Sequence, residues 1–214
     1  MKSIAQPLLS FVGAAVCALL VSGCSSPKAV KSTEAATASM RSLAESLESS
    51  RAQIAKVMTA LNNVVASAAD PRKAHGSFRS ELARLDQLVV RTHQEAERMK
   101  ATTEEHYGLW DQELSAISNP DLKQQSMARK AEVTKAFADI KDAFLQVSYS
   151  FKPYLKNLQD LDRYLATDLT AAGIGRAANT INGLKTESVA VQRDIQAANT
   201  KIKELQASMG RPQN

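Results

Sequence analysis

Cysteine, glycine, proline and aromatic residues are all scarce in this chain of 214 residues. Its two cysteines, Cys17 and Cys24, both lie near the N-terminus, so the rest of the sequence has no thiol for a disulfide framework or a thiolate nucleophile. Only 8 glycines and 6 prolines interrupt a sequence dominated by Ala, Leu, Lys, Glu, Gln and Ser. This composition is typical of long helices and indicates an all-α protein.

The motifs of common catalytic centres are also missing. The chain has 3 histidines, but no Glu-x-x-His pair, which the di-iron site of a helical bundle needs on two helices. It has no Gly-x-Ser-x-Gly elbow for a serine nucleophile. We therefore predict no catalytic residue, no cofactor and no metal site. No group of residues in the sequence supports an enzymatic function.

One segment does match a well-known pattern, because residues 173–178 fit the G-x-G-x-x-A fingerprint of dinucleotide-binding proteins. That fingerprint has meaning only where it follows a strand and opens the helix of a βαβ unit. No alternation typical of a strand precedes it here. We interpret Gly173 and Gly175 as turn and close-packing residues.

The chain carries a formal charge of +5, from 27 basic and 22 acidic residues. Lys and Arg alternate with Asp and Glu along every segment and form no basic stripe. This pattern favours solvated helix faces, and we predict no nucleic-acid partner.

The N-terminus reads as an export signal that ends at a cysteine. Lys2 provides the positive charge, the run from Leu8 to Val21 is apolar, and the small residues Ser22 and Gly23 precede Cys24. This arrangement resembles the lipobox of bacterial lipoproteins, which implies removal of residues 1–23 and acylation of Cys24, for example with palmitate. An ordinary secretory signal and an uncleaved anchor are the alternatives, although about fourteen apolar residues are short for a spanning helix.

The predicted lipid also locates the protein. Ser25, and not Asp, follows Cys24. By resemblance to the lipoprotein sorting rule of Gram-negative bacteria, this favours the outer membrane, with the protein facing the periplasm. Residues 24–36 are predicted to be a tether, 37–210 a helical bundle and 211–214 a disordered tail.

Four segments after the tether carry apolar residues at alternating intervals of three and four, the period of packed helices. The four stripes begin at Met40, Phe78, Val133 and Ile181. The third is uninterrupted by polar residues and continues through Pro153, where we expect a kink. A heptad stripe can pack within its own chain or against another copy, so the sequence leaves a homo-oligomer as an alternative.

Helix-capping signals separate the stripes. Asp70 before Pro71 predicts the start of the second helix, with Gly76-Ser77 as the alternative start. Asn119 before Pro120 predicts the start of the third helix, and Thr170 is the predicted cap of the fourth. Because short connections force neighbouring helices to run antiparallel, we predict an elongated antiparallel bundle or coiled coil of about four long helices.

This topology predicts that two turns meet far from Cys24. Arg72, Lys73 and His75 would lie there beside Arg176, and we regard these four residues as a candidate docking tip for an acidic partner. Exposed charges on a solvated turn are the alternative interpretation.

Two short motifs support a family resemblance. Residues 110–114, Trp-Asp-Gln-Glu-Leu, precede Ser-Asn-Pro-Asp-Leu at 118–122, and Pro153-Tyr154-Leu155 opens a run of leucines towards the last helix. With these motifs the chain resembles the bacterial lipoproteins grouped as domain of unknown function 2959, over roughly residues 33–209. The resemblance implies a helical envelope lipoprotein and no assigned activity.

These observations predict a lipid-anchored scaffold, spacer or adaptor for envelope proteins, with the membrane and unidentified envelope proteins as partners. The alternative is a carrier that binds an apolar or lipid ligand between its helices. Thr92, Thr103 and His106 interrupt the second stripe and are the residues that hint at an interior polar site. An enclosed pocket beside them would favour the carrier, and a filled seam would favour the scaffold. We interpret Trp110 as a core plug, with stacking against a ligand as the alternative.

Overall fold

The computed structural model describes residues 27–66 and 70–209. Within these residues the chain is helical and contains no strand, which confirms the predicted all-α class. Four long helices and one short helix follow one another, and none of them combines the length and apolarity that crossing a membrane requires. The helices are α1 (Pro27–Ala66), α2 (Pro71–Ala116), α3 (Pro120–Thr167), α4 (Ala171–Arg176) and α5 (Ala178–Met209).

The predicted caps start α2 and α3. The Asp70 side chain accepts a hydrogen bond from the Lys73 backbone N–H at 3.0 Å, so α2 begins at Pro71 and not at the alternative Gly76-Ser77. The Asn119 side chain accepts hydrogen bonds from the backbone N–H groups of Asp121 and Leu122. Each cap supplies an acceptor for N–H groups that have no partner inside the helix.

The last segment differs from the prediction, because it is divided into two helices. Thr170 does cap a helix, accepting a hydrogen bond from the Gly173 backbone N–H at 3.0 Å, but that helix is the six-residue α4. Ala177 separates it from α5. Gly173 is a close-packing residue as predicted, because a Cβ there would collide with the carboxylate of Asp168. Gly175 is not a close-packing residue, because a Cβ added there would meet no atom within 4 Å.

The four long helices form an antiparallel bundle. Helix α1 packs along α2 and α5, and α3 packs along α5 and, less extensively, along α2. Hydrogen bonds join α2 to α3 near both ends of this pair. His75 bonds to Asp162 at one end, and Trp110 bonds to Ser126 at the other. At 1.5 Å per residue, a helix as long as α3 extends about 70 Å, which makes the bundle elongated as predicted.

The stripes form the core. Members such as Met40, Phe78, Ile140 and Tyr154 have no exposed surface. Helix α3 continues through Pro153, which lies on its exposed side. The heptad pattern is therefore satisfied largely within one chain.

The predicted tether needs a correction. Residues 27–36 belong to α1, with Pro27 in the first helical turn, where its missing N–H is not needed. Ser32 and Ala36 are buried, because small side chains allow this end of α1 to pack closely. The predicted signal peptide, Cys24 and the tail at 211–214 lie outside the described residues.

Candidate functional site

The predicted docking tip contains a buried histidine. His75 Nε2 lies 2.8 Å from Asp162 Oδ1, and the Arg79 Nε donates to the same oxygen at 3.3 Å. Since only 6% of His75 is exposed, this side chain joins α2 to α3 and is not presented to a partner. The expectation that it belongs to an accessible basic surface is therefore wrong.

The three remaining tip residues are exposed. Arg72 and Lys73 occupy the first turn of α2, and Arg176 ends α4. Arg176 lies 3.5 Å from Asp168, whose pKa is lowered chiefly by its hydrogen bonds with Thr170 and further by the Arg176 charge. The tip thus presents exposed cations among carboxylates on two neighbouring turns at the same end of the bundle.

A ladder of polar side chains runs along the α1–α2 seam, and sequence analysis missed it. Helix α1 has four buried polar residues spaced seven positions apart, which are Ser32, Ser39, Ser46 and Gln53. A fifth buried polar residue, Ser50, lies one helical turn after Ser46. They pair across the seam, and we call these pairs the polar ladder: Ser32 with His106, Ser39 with Thr102, Ser46 and Ser50 with Thr92, and Gln53 with Glu81.

The polar ladder accounts for two of the three residues that suggested an interior site. The Thr92 hydroxyl lies 2.7 Å from that of Ser46 and 3.1 Å from that of Ser50. His106 is likewise bonded to Ser32, whereas Thr103 is buried and its hydroxyl has no hydrogen-bond partner among the described residues. These polar groups therefore join two helices, and His106 and Thr92 each also line a partly open cleft, described below. The period of seven in Ser32, Ser39 and Ser46 was the available sequence signal.

The His106 side chain is buried and bonded to Ser32. Ser32 donates its hydroxyl hydrogen to the Ala29 carbonyl oxygen at 2.9 Å, so Nδ1–H of His106 donates to the Ser32 oxygen at 3.2 Å. Burial lowers the pKa of His106 below its ordinary value, because the charged imidazolium would lose its hydration. The ring also lies 5.4 Å from that of Trp110, measured between centroids.

The lowered pKa of His106 predicts a pH-dependent stability. Since the unfolded chain binds this proton at a higher pH than the folded chain, the contribution of His106 is complete above about pH 6.5 and is lost as the pH falls. Chemical denaturation of the wild type and of His106→Gln, followed between about pH 7 and pH 5, should give a steeper loss of unfolding free energy for the wild type. His93→Gln, at an exposed position, is the matched control and should keep the wild-type slope. Equal slopes for all three proteins would contradict the assignment.

A cleft of about 580 Å³ opens at the same end as His106, between the start of α1 and the end of α2. We call it the N-terminal cleft. Its volume falls within the range of roughly 300–1,000 Å³ that is usual for ligand sites. Six apolar side chains from α2, α3, α5 and the α2–α3 turn line it: Leu109, Trp110, Ile117, Leu122, Val133 and Met209.

Trp110 packs against the core, as predicted, and also forms one wall of this cleft. It is partly buried, and its Nε1–H donates to Ser126 Oγ at 3.0 Å. The apolar stripe shifts beyond this residue, and Leu114 is buried instead. The shift leaves the indole between the core and the cleft.

A second cleft of about 250 Å³ lies midway along the α2–α3 seam. Val89 and Thr92 form its α2 side, and Phe144, Val147 and Phe151 form its α3 side. The two clefts are separate and partly open, so they do not form one continuous enclosed cavity. Within residues 27–66 and 70–209, no three His, Cys, Asp or Glu side chains are grouped to hold a metal ion.

The fold and these features define an antiparallel helical-bundle protein with a polar ladder in one seam and an apolar cleft at one end. The chain belongs to the DUF2959 family, described as proteins of unknown function, whose sequence model matches residues 30–211. This confirms the predicted family resemblance. Comparisons with curated proteins and with solved structures find no match.

Proposed function

We propose that this protein is a lipid-anchored lipoprotein of the cell envelope and that it acts, without catalysis, as a scaffold, spacer or adaptor. In this proposal Cys24 carries the lipid in the outer membrane, and the bundle faces the periplasm. The signal-like N-terminus supports the anchoring, and Ser25 supports the choice of membrane.

The geometry of the bundle carries the spacer proposal. Helix α1 begins at Pro27, three positions after Cys24, so an anchor on Cys24 would hold this end of the bundle close to the bilayer. The antiparallel order then places the start of α2 and the turn containing α4 at the opposite end. Those turns would lie about 70 Å from the membrane surface if the bundle stands upright.

The interior of the bundle also favours a structural role. Thr92 and His106 bond to serines of α1, and the seam between these helices contains fully buried side chains such as Leu43 and Leu61. Hydrogen bonds between α1 and α2 together with this close-packed apolar core favour a rigid bundle, and its two clefts are partly open grooves and not one enclosed cavity. The candidate surface for a partner is therefore outside the core, at Arg72, Lys73 and Arg176.

Reversal of the three exposed tip charges tests the adaptor role. A photo-crosslinking amino acid at the exposed Ala172 of α4 should capture envelope proteins in cells. Replacing Arg72, Lys73 and Arg176 together by glutamate should reduce that capture about tenfold, because like charges would face an acidic partner.

Glutamate at the exposed cations Arg98, Lys100 and Lys141, midway along the bundle, provides a control with the same charge change. The control should leave crosslinking unchanged. Capture that is unaltered in the tip variant would contradict docking at the tip. A crosslink between two copies would identify the homo-oligomer as the partner.

The N-terminal cleft favours a second candidate function, which is an exchangeable carrier of an apolar or lipid ligand. Its walls are mainly apolar and its volume suits a small molecule. A carrier must release and rebind its ligand, whereas a scaffold has no such requirement. The exchange experiment below separates these alternatives.

A further inference from the structure

The N-terminal cleft combines apolar walls with polar groups that already have partners inside the protein. His106 and Ser32, which both line the cleft, bond to each other. The Arg129 guanidinium donates to Glu132 and, at 2.6 Å, to the Ser208 carbonyl oxygen. A ligand in the cleft would therefore gain mainly from apolar contact, and a plain hydrocarbon chain fits this chemistry better than a polar metabolite does.

The same end of the bundle also exposes apolar side chains outside the cleft. Val30 of α1 is 45% exposed, and Leu122 and Met127 of α3 are 56% and 57% exposed. Leu122 both lines the cleft and belongs to this exposed group. Such a concentration of apolar surface favours contact with lipid at this end.

The position of Cys24 indicates which chain would enter. Ala29, which lines the cleft, lies five residues after Cys24, and five extended residues span at most about 18 Å. An acyl chain attached to Cys24 thus starts within reach of the opening and needs no second molecule.

We propose that the N-terminal cleft binds one acyl chain and that its occupant is a chain carried by Cys24 of the same molecule. This inference rests on the proposed lipidation. The bound chain covers the apolar walls beside Trp110 and seats the start of α1 against the membrane, while the other acyl chains on Cys24 stay in the bilayer. The cleft is then part of the anchor and not a site for exchangeable cargo.

Trp110 is the single tryptophan of the chain, so its fluorescence reports on this cleft alone. The mature chain from residue 24 onward, made in the cytoplasm as Cys24→Ser, carries no lipid. Titration with monoacylglycerols of increasing chain length should shift the Trp110 emission to shorter wavelength. Each added methylene should tighten binding about fourfold while the cleft has room. Absence of saturable binding would overturn the proposal.

A pair of variants on one helix locates the binding. In Ala29→Phe the new ring enters the cleft, and the affinity should fall about tenfold or more. Ala35→Phe places the same ring at an exposed position of α1 outside the cleft and should leave the affinity unchanged. Circular dichroism would verify that both variants remain helical. Equal affinities for the two variants would place the binding elsewhere and overturn the proposal.

The lipidated protein then identifies the occupant. In phospholipid vesicles, its Trp110 emission should already be blue-shifted and should not respond to added monoacylglycerol. Vesicles made of phospholipids brominated near the chain end should not quench it, because the bound chain comes from Cys24. A response to monoacylglycerol would indicate an exchangeable ligand, and quenching by bromine would indicate a bilayer chain; either result overturns the assignment to Cys24.

These results are separable from the test of anchoring. Failure to label Cys24 with a fatty acid would contradict the proposed function, whatever ligand the unlipidated chain binds. Normal labelling of Cys24, together with an unlipidated chain that binds no monoacylglycerol, would contradict only the inference that the N-terminal cleft binds an acyl chain.

Discussion

Replacing Cys24 by alanine is expected to abolish the incorporation of a fatty-acid probe, because this residue carries the proposed acyl chains. A buried methylene contributes about 0.8 kcal/mol, and one acyl chain gives only marginal membrane binding. Two or three chains on one residue provide stable anchoring, and none of the described helices is apolar and long enough to replace them. Metabolic labelling followed by immunoblotting measures the loss of the label.

Cys17 offers a matched control for this experiment. It is the other cysteine of the chain, and it lies within the segment that is predicted to be removed. Cys17→Ala should therefore keep both the label and the membrane association. Label retained in Cys24→Ala, or a wild type that takes up no label, would contradict the lipoprotein assignment.

Replacing Phe78 by alanine is expected to lower the free energy of unfolding by about 3–5 kcal/mol. Phe78 is fully buried near the start of α2, and its ring stacks on that of His75 with centroids 6.4 Å apart. Truncation removes apolar contact and leaves a cavity where α2 meets the neighbouring helices. Chemical denaturation monitored by circular dichroism at 222 nm measures the loss.

Tyr149→Ala is the control for the Phe78 variant. Tyr149 is an aromatic residue of α3 with 72% of its surface exposed, so its truncation should change the unfolding free energy by less than about 0.5 kcal/mol. If Phe78→Ala cost no more than this control, the start of α2 would not be packed as described.

The helix boundaries at Asp70 and Asn119 were predictable because the signals are local. An acceptor side chain followed by proline satisfies the first N–H groups of a helix whatever the rest of the fold does. The apolar stripes were predictable for a related reason, since their period alone decides which face is buried. Antiparallel packing then followed from the short connections.

The start of α1 and the polar ladder could not be predicted in this way. Serine is read as a surface or tether residue, and only the facing helix decides whether its hydroxyl finds a buried partner. Ser46 and Thr92 are 46 positions apart in sequence, so no local pattern connects them. The same reason applies to His75, whose partner Asp162 lies 87 positions away.

The candidate tip was predicted in its position but not in its detail. Topology alone places Arg72, Lys73 and Arg176 at one end of the bundle. The ion pair of Arg176 with Asp168 depends on the turn at α4, where Gly173 admits the carboxylate. The shift of the apolar stripe at Leu114 is visible in the sequence, but the N-terminal cleft beside it depends on side chains from α1, α3 and α5 that no local pattern connects.

The polar ladder also decides how α1 and α2 align along their lengths. A heptad stripe by itself tolerates a slide of seven residues, because apolar side chains then meet apolar side chains again. Such a slide would bring Ser46 opposite Met99 or Leu85 in place of Thr92. A buried hydroxyl without a partner costs about 1–3 kcal/mol, and the cost would recur at several rungs. The partners on α2 are unevenly spaced, at Thr92, Thr102 and His106, so one alignment alone satisfies them all.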